Sequence, residues 1–458
     1  MFFPMKWFLT IFFFSNLLLS SYFLDLWITN DNVTSRVLPV VTFVESGTWQ
    51  TDRYYSLTGD QSHIGGHYYS DKAPLPSVIT IPFFFMMKTF GFVKPDEHGS
   101  LYSKVPYVLG SFVCGSIPFA LIISLLFLSL LRENKPAFSP IMLSMLPCYA
   151  SFLFVYSGTF FGHLITALIL LLSYVFLKKG QYFSTGLFLG IACTSEYTVL
   201  FLMPVWAIQV FFAQQGKAGA WKYLGGLLPG LLFILLYNYR FTGSPFDFLY
   251  KYAEGENIDA LRPTYGFAFP DVAALLSLLF SIYRGIFIYV PILLLLLYIV
   301  IKHFSDIGLL SFVKNHAFSA AVVYLVVISC HVVWWGGWSY GPRQLIVPAV
   351  LLLYEGCIFI SHRKFKPSIF WIVSVFGIVC SFAAKATVVY SIPDDLKNPF
   401  SQLLIPDLIH LKLNCNNLGV IILGLNPTLA AFFWLGLFSA LLFMLEKWYQ
   451  KFSGQLHR

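Results

Sequence analysis

Long, nearly uncharged blocks of apolar residues dominate the chain and leave few folds open to it. Many of these blocks reach about 18 residues, the length that a helix needs to cross the hydrocarbon of a bilayer. Of the 458 residues, 58% are hydrophobic and 11% carry a charge, whereas a soluble domain has about 25% charged residues. The blocks therefore predict an all-α integral membrane protein, because a helix satisfies its own backbone hydrogen bonds in lipid.

About twelve of these blocks are predicted to be transmembrane helices. The first runs from about Trp7 to Leu24, and no small-residue cleavage site follows it, so we expect an uncleaved span rather than a removed signal peptide. The others lie at about 104–131, 138–157, 160–177, 182–196, 198–213, 221–239, 285–302, 316–335, 344–361, 368–388 and 418–445. Basic clusters separate the blocks, and the positive-inside rule then places both termini in the cytoplasm.

The polar residues concentrate in three segments that this topology puts outside the cytoplasm. Residues 1–458 are expected to form one membrane domain, with external segments at 28–103, 240–284 and 389–416. Within the first segment, the apolar block Ser77–Val93 is short for a span, and we interpret it as an interfacial or re-entrant helix.

The densest group of polar and aromatic residues in the first segment reads GGHYYSDKAPLP, from Gly65 to Pro76. A lysine at the membrane surface, Lys72, could bind a lipid phosphate, with an attraction of about 4 kcal/mol at an effective dielectric constant near 20. The alternative is a lysine that only extends its ammonium towards water.

A second group, WWGGWSYGPR, extends from Trp334 to Arg343. Its aromatic faces could stack on a sugar ring, and the guanidinium of Arg343 matches the geometry of a phosphate. The alternative is an aromatic belt with a turn.

Three further ionisable residues lie in or beside apolar blocks. An ionisable residue within a membrane is energetically costly, so His163 and Glu196 are candidates for a functional role. His163 could instead hydrogen-bond a neighbouring helix. Arg284 begins a span and is either an anchor or a phosphate ligand.

Several classes of function are excluded by the sequence. We find no phosphate-binding loop, dinucleotide fingerprint or nucleophile elbow, so nucleotide-driven transport is not expected. The seven cysteines show no metal-binding or disulfide spacing. The net charge of +8 comes from residues that flank spans, and no nucleic-acid partner is predicted.

Four ordered features resemble the GT-C superfamily of polytopic glycosyltransferases, especially the bacterial branch of protein O-mannosyltransferases and lipid A aminoarabinose transferases. Asp31 follows the first span, Tyr69–Pro74 forms a Tyr-x-x-Lys-x-Pro element, Thr194–Tyr197 separates two short spans, and Gly336–Arg343 begins an outer loop. The chain departs from these families in two places. Asp31 is followed by asparagine instead of glutamate, and Lys72-Ala-Pro replaces Lys-Pro-Pro, which leaves the sugar and the acceptor open.

The resemblance implies a transferase that moves a sugar from a polyprenyl-phosphate donor to a lipid or glycan acceptor on the outer face of a bacterial inner membrane. Asp31 would be the catalytic carboxylate, and Lys72, Arg343 and Arg284 would bind the lipid phosphate. Candidates for the sugar or acceptor site are Asp60, His67, Tyr69, His163, Glu196, Trp338 and Tyr340.

Two alternatives remain at this point. No cofactor or metal is expected, and the alternative is a GT-C relative that uses a divalent cation on Asp31 and another carboxylate. The alternative function is a transporter or flippase of a lipid-linked saccharide, which would need ionisable residues along the depth of the bilayer.

Overall fold

The computed structural model describes residues 2–24, 30–133, 138–213, 215–254, 264–303 and 315–456, with side chains from residue 5 to residue 451 within these ranges. Of the predicted external segments, residues 28–29 and 255–263 lie outside the described residues.

The described chain is helical almost throughout. The α-helices, in chain order, are α1 (Phe2–Ser21), α2 (Asp31–Ser46), α3 (Leu75–Thr89), α4 (Val105–Ser111), α5 (Ile117–Leu130), α6 (Pro140–Tyr149), α7 (Phe152–Tyr156), α8 (His163–Lys178), α9 (Tyr182–Cys193), α10 (Leu202–Phe211), α11 (Gly216–Thr242), α12 (Val272–Phe280), α13 (Ile286–Tyr289), α14 (Ile292–Lys302), α15 (His316–Ser329), α16 (Ile346–Ser361), α17 (Pro367–Ala386), α18 (Ile405–Ile409), α19 (Leu418–Ile421) and α20 (Pro427–Leu456). Short 3₁₀ turns cover Asp52–Leu57, Tyr197–Phe201, Leu249–Tyr252 and Arg343–Leu345, and π-helical turns cover Phe112–Ser116 and Phe400–Leu404.

The length and composition of the helices confirm an all-α membrane protein. Among the described residues, five helices are long and apolar enough to cross a bilayer: Val105–Leu130, Gly216–Thr242, Arg343–Ser361, Pro367–Ala386 and Pro427–Lys451. Shorter apolar helices accompany them. The number of twelve spans stays a prediction.

Three predicted spans are interrupted in the structure. The span at 138–157 breaks between α6 and α7, where Ser151 adopts an extended backbone. The span at 285–302 breaks before Pro291, since proline has no N–H to donate to the preceding turn. The span at 418–445 is divided between α19 and α20. Periodicity alone does not reveal such breaks, because the apolar character continues across them.

The first external segment contains more regular structure than its composition predicted. The interfacial helix expected at 77–93 is observed as α3, and α2 precedes it. Helix α2 begins where the Asn30 side chain accepts from the N–H of Asn32, and it ends at Gly47, whose φ of 71° is left-handed. These two helices pack against each other.

A two-stranded hairpin joins the end of this region to α3. Strand β1 (Gln61–Ile64) pairs antiparallel with β2 (His67–Ser70), with Gln61 opposite Ser70 and Ile64 opposite His67. Gly65 and Gly66 form the turn with φ angles of 60° and 84°, which β-branched residues rarely adopt. The open end of the hairpin therefore brings Asp60 and Asp71 together.

The three segments predicted to be external contact one another. The Ser62 hydroxyl of β1 donates to the Leu249 carbonyl at 2.7 Å, which joins the first segment to the second. The Tyr283 hydroxyl donates to the Asp394 carbonyl at 2.7 Å, which joins the second to the third. The polar residues thus lie together at one end of the helices.

Helices α9 and α11 make the closest helix contact through two glycine pairs, each spaced by four residues. Gly186 and Gly190 of α9 face Gly226 and Gly230 of α11, and a β-carbon at any of the four would meet backbone atoms of the opposite helix. Small residues at this spacing let transmembrane helices approach each other closely.

Replacing Gly226 with alanine should destabilise the protein by about 1–3 kcal/mol through overpacking. The new β-carbon would overlap the carbonyl oxygen of Phe183. The measurement is thermal unfolding of the detergent-solubilised chain, followed by labelling of buried cysteines such as Cys193 with a thiol-reactive fluorophore.

Gly225→Ala is the matched control, because nothing lies within 4 Å of a β-carbon at that position. It should unfold at the wild-type temperature or slightly above. Equal midpoints for Gly225→Ala and Gly226→Ala would contradict close packing of α9 on α11.

Candidate active site

An ammonium group shared by two carboxylates lies at the open end of the hairpin. Lys72 Nζ is 2.7 Å from Asp60 Oδ2 and 2.8 Å from Asp71 Oδ2. Asp60 comes just before β1 and Asp71 just after β2, so the strand pairing sets the separation of the two carboxylates. This group of three residues is called the Lys72 cluster below.

The carboxylates of the Lys72 cluster differ in their affinity for a proton. Burial disfavours the charged form of Asp60, but the charge and hydrogen bond of Lys72 together with the charges of Arg343 and Arg36 outweigh burial and hold the pKa of Asp60 below its ordinary value. Burial of Asp71 wins over the same attraction and raises its pKa. Burial also opposes the charge on Lys72, yet the two carboxylates raise the pKa of its ammonium. Lys72 is therefore a stable cation.

Short hydrogen bonds fix the Lys72 cluster to α2 and to the turn before α10. Ser35 Oγ donates to Asp71 Oδ1 at 3.1 Å and lies 2.8 Å from Ser70 Oγ. The Leu75 amide, at the start of α3, donates to the Thr194 carbonyl at 3.1 Å. The Thr194–Tyr197 turn noted in the sequence thus touches the segment that carries Lys72.

Asp31 lies beside the Lys72 cluster and is exposed. It stands in the first turn of α2, and its Oδ1 accepts the Gly59 amide at 3.1 Å. The backbone carbonyl of Asp31 accepts from the Thr58 hydroxyl, which in turn accepts the Asp60 amide. Among the described residues, no cation forms an ion pair with Asp31, so its second oxygen is available to a substrate.

Arg36 is a buried arginine that our sequence analysis did not select. It lies on the Asn32–Ser35 face of α2, and its Nη1 donates to the Asn32 carbonyl at 2.7 Å and also contacts the Asn32 side chain. Its Nε has no hydrogen-bond partner among the described residues. Burial, followed by repulsion from Arg343, lowers the pKa of Arg36 to about 10. The guanidinium is thus a buried cation without an ion-pair partner in the part of the chain that the structure describes.

Arg343 is far from Arg36 in the sequence, but both arginines approach the same aromatic ring, that of Phe161. The guanidinium carbon of Arg343 lies 5.0 Å from the centre of the Phe161 ring, and that of Arg36 lies 5.9 Å from the same ring. The buried Nε of Arg343 also lacks a partner among the described residues. Both arginines favour the ionised form of Asp60, which indicates that they share the electrostatic field of the Lys72 cluster.

His163 and Glu196 contact each other next to these cations. His163 Nδ1 lies against Glu196 Oε1, and both side chains are largely buried. The His163 ring stacks on Phe161 with centroids 5.6 Å apart. The pair closes one wall of the site, and Phe161 stands between it and the arginines.

Arg284 is fully buried and bound to backbone. It donates to the carbonyl oxygens of Trp335, Tyr283 and Gly337 at 2.9–3.1 Å. All of these acceptors belong to its own loop or to the Trp334–Arg343 loop. Arg284 therefore holds this loop in place. A phosphate could bind its guanidinium only by displacing the hydrogen bonds to these carbonyls.

The Trp334–Arg343 loop does not expose the aromatic wall that its sequence suggested. The Tyr340 ring is buried against Tyr289, with centroids 4.8 Å apart, and the Tyr340 backbone bonds the Tyr156 hydroxyl. Trp338 is exposed. The Tyr340 side chain is 1% exposed, so a sugar could reach its ring only after neighbouring residues moved, and the expected sugar contact stays a prediction.

His67 and Tyr69 also lie away from the Lys72 cluster. His67 is at the closed end of the hairpin, where its Nδ1 lies 2.7 Å from Asp52 Oδ2. Tyr69 points to the opposite face of β2 from Ser70 and packs on Phe241. Of the predicted residues, the structure thus brings together Asp31, Asp60, Lys72 and Arg343, with His163 and Glu196 alongside.

An apolar groove begins two residues after Arg343. Its lining consists entirely of apolar side chains from α13, α14, α15 and α16, together with Leu279 and Leu345. On α16 it extends to Leu352, about 10 Å along the helix. Hydrocarbon is the matching ligand for such a lining.

Sequence reasoning missed Arg36 and Phe161. A signal for Arg36 was present, because Asn32, Ser35 and Arg36 have the i, i+3, i+4 spacing of one helix face. Using that signal would have required predicting α2. Phe161 gave no such signal, because a phenylalanine in an apolar block is typical of a core residue.

Two solved structures match the chain over 96% of its length. They are ArnT from Cupriavidus metallidurans bound to undecaprenyl phosphate and ArnT from the same organism in the apo state. Each is 13% identical in sequence with a TM-score of 0.47, and the matches cover 76% and 74% of the ArnT chains. No protein-family model and no curated protein match the chain. ArnT is an aminoarabinose transferase with a GT-C fold, the class that the sequence motifs resembled.

Replacing Lys72 with methionine should destabilise the protein by about 3 kcal/mol at neutral pH, because the buried carboxylate of Asp71 and the half-buried carboxylate of Asp60 then lose their cation. Without the cation, burial and mutual repulsion should raise both carboxyl pKa values in the folded state. The folded state then loses stability as the pH rises through the raised pKa, because the carboxyl groups must ionise while they are buried. Lys72→Met should therefore recover towards wild-type stability between pH 7.5 and pH 4.5.

Lys88→Met is the control for this measurement. The Lys88 ammonium donates to the Val44 carbonyl at 2.8 Å, and no carboxylate is paired with it among the described residues. Its unfolding midpoint should follow the wild-type pH dependence. An Lys72→Met variant with wild-type stability at pH 7.5 would contradict the shared ion pair.

Proposed function

We propose that the protein transfers a sugar from a polyprenyl-phosphate donor to the hydroxyl of a lipid or glycan acceptor on the outer face of the membrane. One observation carries this proposal: Arg36 and Arg343 approach one ring, Phe161, with no ion-pair partner for either among the described residues, and an apolar groove begins at Leu345, two residues after Arg343 in the chain. Adjacent cations and an apolar groove match the two ends of a polyprenyl phosphate.

The arginines supply the contacts that a phosphate needs. A guanidinium presents N–H groups in a fixed fork, which fits phosphate oxygens in pairs. Both N–H groups at Nε are buried and unpartnered, and such groups cost free energy until they bind an acceptor. A phosphate between Arg36 and Arg343 would satisfy them, with its hydrocarbon chain lying in the groove below.

Lys72 has a smaller part in phosphate binding than the sequence suggested. An ammonium has three N–H donors, and two of them contact Asp60 and Asp71. One donor remains for a phosphate oxygen. Its main role in this proposal is to hold both carboxylates in place, so that the phosphate is held principally by the arginines.

The reaction is a displacement at the anomeric carbon of the donor sugar. The acceptor oxygen forms a bond to this carbon while the bond from the carbon to the phosphate oxygen breaks. The hydroxyl proton passes to Asp31, and the phosphate leaves with an additional negative charge that Arg36 and Arg343 stabilise. Attack from the face opposite the phosphate inverts the anomeric centre.

Asp31 is the carboxylate best suited to accept the proton. Asp60 is held by Lys72 with a lowered pKa, which makes it a weak base. Asp71 is buried and already bonded to Ser35 and Lys72. Asp31 is exposed, and its position is fixed by the amide of Gly59.

Asp31→Asn should lower kcat at least about a hundredfold, because it keeps the shape of the side chain and removes the proton acceptor. The assay uses the purified chain in lipid nanodiscs with a polyprenyl-phosphate sugar and an extract of acceptor lipids. Asp52→Asn is the control carboxylate, since Asp52 also accepts a backbone amide but lies at the closed end of the hairpin. If both variants turned over at the wild-type rate, Asp31 would not be the base.

Arg36→Gln and Arg343→Gln should each lower kcat/KM for the donor about 10- to 100-fold, the loss expected for a charge-assisted hydrogen bond. Groups that bind one phosphate are not additive. The double variant should therefore lose less than the product of the two single losses, measured with the same donor.

Arg53→Gln, an exposed arginine of the same external segment, should leave donor kinetics unchanged. Strictly additive losses at Arg36 and Arg343, or losses confined to the KM of the acceptor, would mean that the two arginines do not share the donor phosphate.

A further inference from the structure

A second groove lies on the opposite face of β2 from the Lys72 cluster. It has a volume of about 580 Å³ and is bounded by the carboxyl-terminal ends of α2 and α11 and by Tyr69 of β2. Phe233 and Leu236 line its outer side and are exposed, so the groove opens towards the surface where lipid would lie.

Aromatic rings form a continuous wall along this groove. Trp49 lies 5.6 Å from Phe43 and 6.1 Å from Tyr237 between ring centroids. Phe241 continues the series, 4.9 Å from Tyr237 and 5.1 Å from Tyr69. A saccharide can pack on such a wall. Its apolar C–H faces match the faces of the rings, and its polar edges match the N–H and O–H groups of tryptophan and tyrosine.

Arg240 is the charged residue of the lining. Its guanidinium carbon is 5.7 Å from the centre of the Phe241 ring, and no carboxylate of the described lining neutralises it. A cation without an acidic neighbour favours an anionic ligand.

We propose that this groove is a second lipid site that holds the acceptor, a lipid carrying both a saccharide ring and an anionic group. The inference rests on the proposed function, because a transferase needs a separate place for its second substrate. The apolar groove beside Arg343 suits a hydrocarbon tail, whereas this one combines aromatic rings, a cation and a lipid-facing side.

The position of the groove suits delivery of a hydroxyl to the reaction centre. Tyr69 is three residues before Lys72, so the chain between them spans at most about 11 Å. A lipid anchored against Arg240 and Trp49 could extend a headgroup of one or two sugar units past the edge of the hairpin to the Lys72 cluster and Asp31.

The test measures lipid binding to the full-length chain in detergent by native mass spectrometry. Three probes with the same acyl chains are compared: phosphatidylinositol has a ring and a charge, phosphatidylglycerol has a charge without a ring, and monoglucosyl diacylglycerol has a ring without a charge. The wild-type chain should bind phosphatidylinositol about tenfold more tightly than either of the others, since stacking and a charge-assisted bond each contribute about that factor.

Two variants remove the two contacts separately, and each has a matched control. Arg240→Gln should lower phosphatidylinositol affinity about tenfold, and Trp49→Leu should do the same. Arg363→Gln removes another arginine that lies over a ring, Phe359, and Trp221→Leu removes an exposed tryptophan about 28 Å away along α11. Both controls should bind within twofold of wild type.

Equal binding of phosphatidylinositol and phosphatidylglycerol, or equal losses in the variants and their controls, would overturn the proposal and indicate ordinary annular lipid. The experiment contains no sugar donor, so its outcome is independent of turnover. Selective binding in a chain without transferase activity would leave the site standing and reject the proposed function.

Discussion

The ammonium of Lys72 is the interaction on which the arrangement of the site depends. It joins the two ends of the hairpin through Asp60 and Asp71, and Asp71 is bonded to α2 through Ser35. The next residues form α3, whose first amide bonds the turn at Thr194. An external segment without a large core of its own is thereby fixed to the helices. A buried ion pair rarely adds much net stability, but removing one member is costly, so this one determines geometry more than total stability.

The two carboxylates of the Lys72 cluster are paired with a lysine, whereas the two nearby arginines form no ion pair among the described residues. Arg36 is buried with a lowered pKa, and its charge is balanced only by backbone, an amide side chain and the field of nearby carboxylates. Arg343 lies against the same ring, and the two repel each other. This repulsion raises the free energy of the site, and an anionic ligand bound between the two guanidinium groups would offset it. A site of this kind is preorganised for an anion, since the cations are held apart by packing and do not have to be assembled during binding.

The sequence predicted the parts of this protein that depend on composition and left out those that depend on contacts. The apolar blocks predicted an all-α membrane protein. Lys72 and Arg343 were selected because a cation at the membrane surface can bind a lipid phosphate, and Asp31 was selected from the resemblance to GT-C transferases. Helix α2 was missed because its apolar face is short and contains Pro39. Arg36 was missed with it. The burial of Tyr340 was not predicted, because aromatic residues next to glycines indicated an open wall, whereas Arg284 donates to the Trp335 and Gly337 carbonyls and holds this loop against the helices. No local pattern encodes a bond between residues about fifty positions apart.

The distribution of ionisable residues favours chemistry at one surface over passage through the membrane. A transport path needs polar groups at successive depths that a substrate can contact in turn. In the part of the chain that the structure describes, the buried ionisable side chains within the helices are engaged with protein groups: His163 lies against Glu196, and Lys385 donates to the Val155 carbonyl. Arg36 and Arg343 form no ion pair among the described residues, and both lie at the end of the helices where the segments predicted to be external meet. Breaking the engaged pairs would cost several kcal/mol for each charge left buried, whereas binding a phosphate at the arginines leaves every one of them intact. The structure is therefore better suited to holding a lipid phosphate at one surface than to moving it across.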